Sequence, residues 1–213
     1  MKEMIVGSRS SKLAITQTKL VIDALKANGV KQSFKKKEVM TAGDNKLNVS
    51  LAKLGKGGVF LDTLQEKLLN GEIDLAVHSL KDVPVTLPEG SEIACIPKRE
   101  DHRDAYIAKN HIALHDLKEG AVIGTSSFRR AAQILAKRPD LKTKWIRGPI
   151  DSRIEQLHNG DYDAIILAVA GMKRLGIEEG LITAYLPDDH FVPAMGQGAL
   201  AIECRKNDEA VKS

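Results

Sequence analysis

Short apolar runs alternate along the chain with stretches of helical periodicity, and this alternation limits the possible folds more than any other feature. In the first half and at the end of the chain, strands are predicted at Met4-Ile5-Val6, near Phe34–Met40, at Leu75-Ala76-Val77 and at Ala199–Cys204. Because strands and helices that alternate build a sheet covered by helices, the pattern predicts an α/β protein.

Helix signals lie between these strands. Ser10 or Ser11 is placed to cap a first helix, and Asn28-Gly29 is placed to end it. A second helix is predicted to start around Gly58. Its apolar residues recur at helical spacing, at Leu61, Leu64 and Leu68.

A similar plan restarts after the charged, turn-like stretch 98–104. Its strands are predicted at Ala121–Gly124, Lys144–Ile146 and Ala164–Val169. Its helices are predicted at Ser127–Lys137 and Ser152–His158, the second opening with a Ser-x-x-Glu capping box through Glu155. We therefore predict two domains, residues 1–98 with 196–213 and residues 99–195, with a return crossing near 191–196.

Composition excludes several classes of protein. The chain has 32 Lys+Arg against 28 Asp+Glu, and its four Phe, three Tyr and one Trp are too few for a base-stacking surface, so no nucleic-acid partner is expected. The longest apolar run, Ala164 to Ala170, is far short of a membrane span, and the N-terminus shows no secretory signal. Two cysteines form no disulfide framework. We expect a cytoplasmic monomer.

Arginines cluster where predicted strands turn into helices. In Gly124-Thr125-Ser126-Ser127-Phe128-Arg129-Arg130, the two arginines lie in the first helical turn, where positive charge opposes the helix dipole. The arrangement is explained if a carboxylate or phosphate sits in that turn, since helix N-termini bind anions. The alternative is a pair of solvated arginines on a surface helix.

Three further turns repeat this chemistry: Arg147–Arg153, Gly7-Ser8-Arg9-Ser10-Ser11 and His78-Ser79-Leu80-Lys81-Asp82. In α/β sheets such turns gather at the carboxyl ends of the strands. The pattern predicts a cation-lined cleft between the two domains for a ligand with several carboxylates. Asp82, among these cations, is suited to hold a developing cation or an N–H donor; alternatively it is a surface acid paired with Lys81 or another neighbour.

Other polar features predict no chemistry. His111-x-x-x-His115 lacks a third ligand nearby, so no metal site is expected. Cys204 follows apolar residues in a predicted strand and is interpreted as a buried small hydrophobe rather than a nucleophile. Gly55-Lys56-Gly57-Gly58 lacks the full phosphate-loop pattern and is interpreted as a flexible loop or lid.

An ordered series of motifs resembles the porphobilinogen deaminase (hydroxymethylbilane synthase) family. The motifs are Gly7-Ser8-Arg9, Thr41-x-Gly43-Asp44, Val77-His78-Ser79-Leu80-Lys81-Asp82-Val83-Pro84, Arg99-Glu100-Asp101-x-Arg103-Asp104-Ala105, Gly124-Thr125-Ser126-Ser127-x-Arg129-Arg130, Asp161–Ala168 and Pro193-Ala194-x-Gly196-Gln197-Gly198-Ala199. The resemblance implies two periplasmic-binding-protein-like (type II) domains with the active site in the interdomain cleft. It also implies the reaction, in which four porphobilinogen units are joined head to tail, with loss of ammonia, into the linear tetrapyrrole hydroxymethylbilane for heme biosynthesis.

The resemblance also assigns roles to single residues. Asp82 matches the catalytic aspartate, which handles the pyrrole N–H and the methylene-pyrrolenine cation. Lys56 and Phe60 match the mobile loop. Positions that hold cofactor or substrate side chains are matched by Arg9, Ser11, Lys81, Ser127, Arg129, Arg130, Arg147, Arg153, Arg174 and Gln197. No metal ligand is implied. A non-catalytic binding module for a multi-carboxylate ligand is the alternative function.

The chain departs from the family pattern at three places. Lys56 is displaced by one position in its glycine loop, and Pro149 removes a backbone donor from the turn Gly148–Arg153. The family continues past residues 203–205 into a third domain, whose cysteine carries the dipyrromethane cofactor, and neither Cys95 nor Cys204 matches that position. We therefore expect a truncated two-domain core without covalently bound dipyrromethane.

Overall fold

The computed structural model describes residues 3–40 and 62–212, which form two compact α/β units. Unit 1 comprises Met1–Arg99 and Ala199–Ser213, and unit 2 comprises Glu100–Gly198. Each unit contains one five-stranded sheet. Within the described ranges, no helix has both the length and the apolar character needed to cross a membrane.

The strands, in chain order, are β1 (Met4–Arg9), β2 (Phe34–Val39), β3 (Leu75–Ser79), β4 (Ser91–Cys95), β5 (Asp104–Ala108), β6 (Val122–Gly124), β7 (Lys142–Lys144), β8 (Ala164–Ala168), β9 (Ala184–Leu186) and β10 (Leu200–Arg205). The described α-helices are α1 (Lys12–Ala27), α2 (Asp62–Leu69), α3 (Phe128–Lys137), α4 (Ile150–His158), α5 (Val169–Arg174) and α6 (Glu209–Lys212). Short 3-10 helices cover Leu80–Asp82, Lys109–His111, Leu114–Asp116 and Glu179–Leu181.

The sheet of unit 1 has the strand order β2-β1-β3-β10-β4. β1 pairs in parallel with β2 and β3, whereas β10 is antiparallel to both β3 and β4. Val6, Val77 and Ile202 pack under α1 on one face, and α2 covers the other. Gly7 permits this close packing, because a Cβ there would lie 2.3 Å from Ile73 Cδ1.

The local signals for α1 are confirmed. Ser11 is the N-cap residue, and its Oγ accepts a hydrogen bond from Ala14 N at 3.3 Å. Asn28 ends the helix, as predicted. The second predicted helix is described only as α2, where Leu64 and Leu68 are fully buried. Its predicted start around Gly58, and Leu61, lie outside the described residues.

The sheet of unit 2 has the order β7-β6-β8-β5-β9. Here β6 pairs in parallel with β7 and β8, and β5 is antiparallel to β8 and β9. The plan of unit 1 is repeated, with three parallel strands followed by an antiparallel one. Large buried side chains line both faces, among them Tyr106, Ile123, Ile134, Ile165 and Met172.

Three predictions in unit 2 are wrong. The strand predicted at Lys144–Ile146 occupies Lys142–Lys144, since these residues pair with β6, and Ile146 instead enters the core beside α4. The capping box fails because α4 begins at Ile150, after Pro149. Ser152 therefore lies inside the helix, where its Oγ accepts from Gln156 Nε2 at 3.4 Å. Asp104, interpreted as part of a turn, begins β5.

Candidate functional site

The carboxyl ends of β1 and β3 bring four predicted site residues to one edge of the unit 1 sheet. The two strands run in parallel, with Val6 opposite Leu75 and Gly7 opposite Ala76. Arg9 ends β1 and Ser11 caps the helix that follows it. Lys81 and Asp82 lie in the 3-10 helix immediately after β3. This edge of a parallel sheet is where ligands bind in α/β folds.

The turn that carries Asp82 is held in place by hydrogen bonds of its backbone and of Ser79, while the Asp82 side chain faces solvent. Leu80 N donates to Ala199 O at 3.0 Å, and Ser79 Oγ lies 3.1 Å from Gln17 Nε2. The Asp82 side chain itself is exposed. A carboxylate on a fixed backbone, facing solvent, is available to a ligand. Gln17, which is buried in α1, was missed by the sequence analysis because it looks like an ordinary polar helix residue.

A buried cluster of acidic, basic and polar side chains adjoins this turn through His78, which lies near the end of β3. It too was not predicted from the sequence. The Glu203 carboxylate, fully buried on β10, accepts from Ser91 Oγ at 2.6 Å and from Gln65 Nε2 at 3.1 Å. His78 Nε2 lies 2.9 Å from its other oxygen. Burial opposes ionisation of Glu203, but His78, Ser91 and Gln65 lower its pKa overall. We call these four residues the Glu203 cluster.

In unit 2 the carboxyl ends of β6, β7 and β8 share one edge, because the three strands are parallel. Ser127 caps α3 there, and its Oγ accepts from Arg130 N at 3.4 Å. Thr125 Oγ1 accepts from Ser127 N at 3.2 Å and orders the turn. Gly124 is required before it, since a Cβ would lie 2.9 Å from the Tyr162 ring. The sequence thus forms the expected capped helix start, whose first-turn N–H groups suit an anion.

Asp104 supplies a carboxylate to the arginines of this helix start. Arg129 Nη2 donates to Oδ2 at 2.7 Å, and Arg130 donates to Oδ1 from Nη2 at 2.6 Å and from Nε at 3.1 Å. Gln197 Nε2 donates to the same Oδ1 at 2.9 Å. Burial of Asp104 acts to raise its pKa, but Arg130 and Arg129 lower it overall. Three predicted site residues therefore converge on one residue that was not predicted.

Arg153 lies in a different environment. Its Nε donates to Gly148 O at 2.8 Å, and no salt bridge to a carboxylate is found for it within the described ranges. Burial and the nearby charges of Arg130 and Arg147 lower the pKa of Arg153 to about 10. A half-buried guanidinium near other guanidiniums is stabilised by an anion. Since Arg130 already binds Asp104, it is Arg153, in this cluster of Arg130, Arg147 and Arg153, that is suited to a carboxylate or phosphate ligand.

Arg174 binds the backbone of the residue that follows Gln197. Its Nη2 donates to Gly198 O at 2.6 Å, and Glu100 N donates to the same oxygen at 3.1 Å. Gly198 has a φ of +87°, and a Cβ there would lie 2.4 Å from Glu100 O, so only glycine fits. Burial lowers the pKa of Arg174.

The other predicted features lie away from these clusters. Cys204 is fully buried, as expected, and burial raises its pKa; Cys95 is exposed. A cavity of about 430 Å³ lies at the opposite edge of the unit 1 sheet and contains none of the predicted site residues. No cluster suited to a metal ion occurs among the residues that were described. Lys56 and Phe60 fall outside them.

Solved structures share this fold at low sequence identity. A putative methionine-binding lipoprotein from Bacillus subtilis subsp. subtilis str. 168 has a TM-score of 0.56 at 14% identity, over 99% of this chain and 87% of that one. A nutrient binding protein from Burkholderia cenocepacia bound to methionine has a TM-score of 0.57 at 15% identity, over 98% and 88%. The two units are thus periplasmic-binding-protein-like type II domains, as the resemblance implied.

Curated relatives are far more similar in sequence. Porphobilinogen deaminase from Oceanobacillus iheyensis is 58% identical over 98% of this chain and 68% of its own length. The enzyme of the same name from Bacillus subtilis (strain 168) is 55% identical over 98% of this chain and 67% of its own length. Residues 4–213 match the family described as "Porphobilinogen deaminase, dipyromethane cofactor binding domain". Because the family model matches residues 4–213 and more than half of the aligned residues are identical to those of these relatives, the chain belongs to the porphobilinogen deaminase family of transferases.

Proposed function

We propose that this chain acts as the core of a porphobilinogen deaminase. In this reaction four porphobilinogen molecules are joined head to tail, each losing ammonia, to give hydroxymethylbilane for heme biosynthesis. The observation that carries the proposal is the cluster of Arg130, Arg147 and Arg153 at one edge of the unit 2 sheet. Porphobilinogen brings an acetate and a propionate to the site, and these supply the negative charge that Arg153 lacks.

Each unit has residues that would hold carboxylates. Arginine suits this task, because its planar guanidinium donates two parallel hydrogen bonds to one carboxylate. The helix N-termini capped by Ser11 and Ser127 add backbone N–H donors. The proposed carboxylate-binding residues are Arg9, Ser11, Lys81, Ser127, Arg129, Arg130, Arg147, Arg153, Arg174 and Gln197.

Asp82 is proposed as the catalytic residue. Its exposed carboxylate, on the anchored turn after β3, can accept the pyrrole N–H of porphobilinogen and so orient the ring. When ammonia leaves, the pyrrole becomes a methylene-pyrrolenine cation. A carboxylate fixed beside the ring stabilises this positive charge more than it stabilises the neutral substrate, which lowers the barrier to the step.

The described residues fit the dipyrromethane cofactor named for the family. Its rings carry the same acetate and propionate groups as the substrate, and the half-buried Arg153 beside Arg147 is the donor set that such groups require. Bound dipyrromethane supplies the growing end to which substrate is joined. Neither Cys95 nor Cys204 is proposed as its attachment point. The two free thiols also support our proposal of a cytoplasmic location.

An Asp82→Asn variant tests the catalytic assignment. The purified chain is incubated with porphobilinogen, and product is measured with an aldehyde reagent for pyrroles and by intact mass. We expect turnover to fall by at least about 10²-fold, because the charge that stabilises the cation is lost while the shape is kept. Asp116→Asn is the matched control, since Asp116 ends an equivalent Leu-x-Asp 3-10 helix in unit 2. Undiminished turnover in Asp82→Asn would remove Asp82 from its role.

An Arg153→Gln variant tests the carboxylate site. We expect porphobilinogen affinity, measured by calorimetry, to fall by about 10-fold or more, as for loss of a charge-assisted bidentate contact. Arg138→Gln is the control, because Arg138 is already paired with Asp140 at 2.6 Å. Saturable binding that Arg153→Gln weakens, with no turnover in any variant, would favour the non-catalytic binding module. Equal affinity in both variants would refute the carboxylate site.

A further inference from the structure

Asp104 is the one carboxylate in unit 2 on which predicted ligand-binding side chains converge. It lies at the start of β5 and is 0% exposed. Four hydrogen bonds reach it from Arg129, Arg130 and Gln197, three of them to Oδ1 and one to Oδ2. A side chain enclosed in this way does not touch a ligand.

Asp104 brings together two arginine side chains that the start of α3 would direct apart. Successive helical residues point about 100° apart around the helix axis, so Arg129 and Arg130 would ordinarily diverge. Both guanidiniums nevertheless meet at Asp104, which also offsets the cost of two positive charges at the positive end of a helix dipole. Asp104 therefore places a carboxylate of the protein itself beside these arginines, where the sequence pattern predicts a negatively charged group.

The contacts with Asp104 leave N–H donors of Arg129 available for another anion. Arg129 has five N–H groups, of which one bonds Asp104 and one bonds Val192 O at 2.6 Å, and a quarter of its side chain is exposed. Arg130 also donates to Ile166 O at 3.0 Å, which fixes the plane of its guanidinium. Both arginines are thus oriented before any ligand arrives, and their orientation depends on Asp104.

We propose that Asp104 is a positioning residue for carboxylate binding in unit 2: itself bonded by the buried Gln197, it holds Arg129 and Arg130 in the arrangement that receives a carboxylate of porphobilinogen. The proposal rests on the proposed function for the identity of the ligand. Asp104 acts only through the two arginines. Preorganised donors bind more tightly than mobile ones because less ordering is required on binding.

The test measures porphobilinogen affinity by calorimetry in Asp104→Asn, which keeps the shape and removes the charge. We expect the dissociation constant to rise by about 10-fold, as for loss of preorganised charged donors. Asp140→Asn is the control, because Asp140 likewise binds an arginine of unit 2 through two hydrogen bonds, at 2.8 and 2.6 Å. It should change the constant by less than about twofold.

A combined variant separates positioning from a merely structural role. If Asp104 acts through the two arginines, Asp104→Asn should weaken binding by less than about twofold when Arg129→Gln and Arg130→Gln are already present. An effect of Asp104→Asn that multiplies in full with that of the two arginine substitutions would overturn the proposal. Restoration of part of the affinity by Asp104→Glu would support it, whereas equal effects of Asp104→Asn and Asp140→Asn would contradict it.

A measurement on the wild-type chain covers the case in which Asp104→Asn does not fold. The Arg130 Nε proton, bonded to Asp104, should exchange with solvent at least about 10-fold more slowly than in free arginine before ligand is added. Exchange that slows only after porphobilinogen is added would refute preorganisation. If the wild-type chain binds no porphobilinogen, the proposed function fails, while this exchange rate still decides whether Asp104 holds Arg130.

Discussion

Replacing Glu203 by glutamine should destabilise unit 1 strongly while leaving its shape unchanged. The carboxylate accepts from Gln65, Ser91 and His78 and has no exposed surface. Hydrogen bonds to a charged group contribute about 1.5–3 kcal/mol each, against about 1 for neutral pairs. The amide of the glutamine also turns a donor toward other donors. We therefore expect a loss of about 3 kcal/mol in the free energy of unfolding.

The assay is urea denaturation followed by circular dichroism, with hydrogen exchange to locate the change. Exchange should speed up in β3, β4 and β10 and stay unchanged in the strands of unit 2. Glu92→Gln is the matched control, because Glu92 lies on the neighbouring strand and forms a partly exposed pair with Lys212. A pair of that kind contributes under about 1 kcal/mol.

The pH dependence of the Glu203→Gln effect is a second check on the same reasoning. The folded-state pKa of Glu203 lies below its ordinary value of 4.5. Its ionised form therefore contributes stability above about pH 4.5, and this contribution is lost as the pH falls through the lowered pKa. The gap in unfolding free energy between wild type and Glu203→Gln should shrink in acid. A gap that stays constant from pH 7 to pH 3, or equals that of Glu92→Gln, would refute the argument.

Two more predictions concern unit 2. Gly124→Ala should lower the free energy of unfolding by about 1–3 kcal/mol in urea denaturation, since the new Cβ would lie 2.9 Å from the Tyr162 ring and 3.0 Å from Ile165 Cγ2. Gly180→Ala, which meets nothing within 4 Å, is the control, and equal losses would contradict the steric reason. The Asp101 carboxyl, bonded by Arg103, should titrate near pH 2 by carbon NMR, and Arg103→Gln should move the midpoint toward 3.8. A wild-type midpoint near 3.8 would exclude this ion pair.

Local signals in the sequence were enough to predict most of the strands and helices. Apolar runs gave the positions of β1, β3, β8 and β10, and serine and asparagine caps gave both ends of α1. The resemblance to the deaminase family, based on ordered motifs, was confirmed by relatives over 98% of the chain. These features depend on residues that are close together in sequence, which is why they could be predicted.

The failures depend on partners that are distant in sequence. Asp104 ends a charged run and looks like a turn residue, but it is buried because Arg129, Arg130 and Gln197 reach it from other elements. β4, β5 and β9 were not predicted, since each is short and is stabilised mainly by its neighbours in the sheet. The Ser152 capping box failed because Pro149 starts the helix one turn earlier than the motif indicates.

The position of β10 in the unit 1 sheet has a consequence for folding. β10 lies between β3 and β4, yet His78 and Glu203 are 125 residues apart in sequence. Unit 2 is encoded by one continuous stretch, Glu100–Gly198, and is complete before β10 leaves the ribosome. Until then β3 and β4 present open edges that can pair with other chains. Vectorial synthesis thus makes unit 1, which begins before unit 2, close after it, and unit 1 is most exposed to aggregation during that interval.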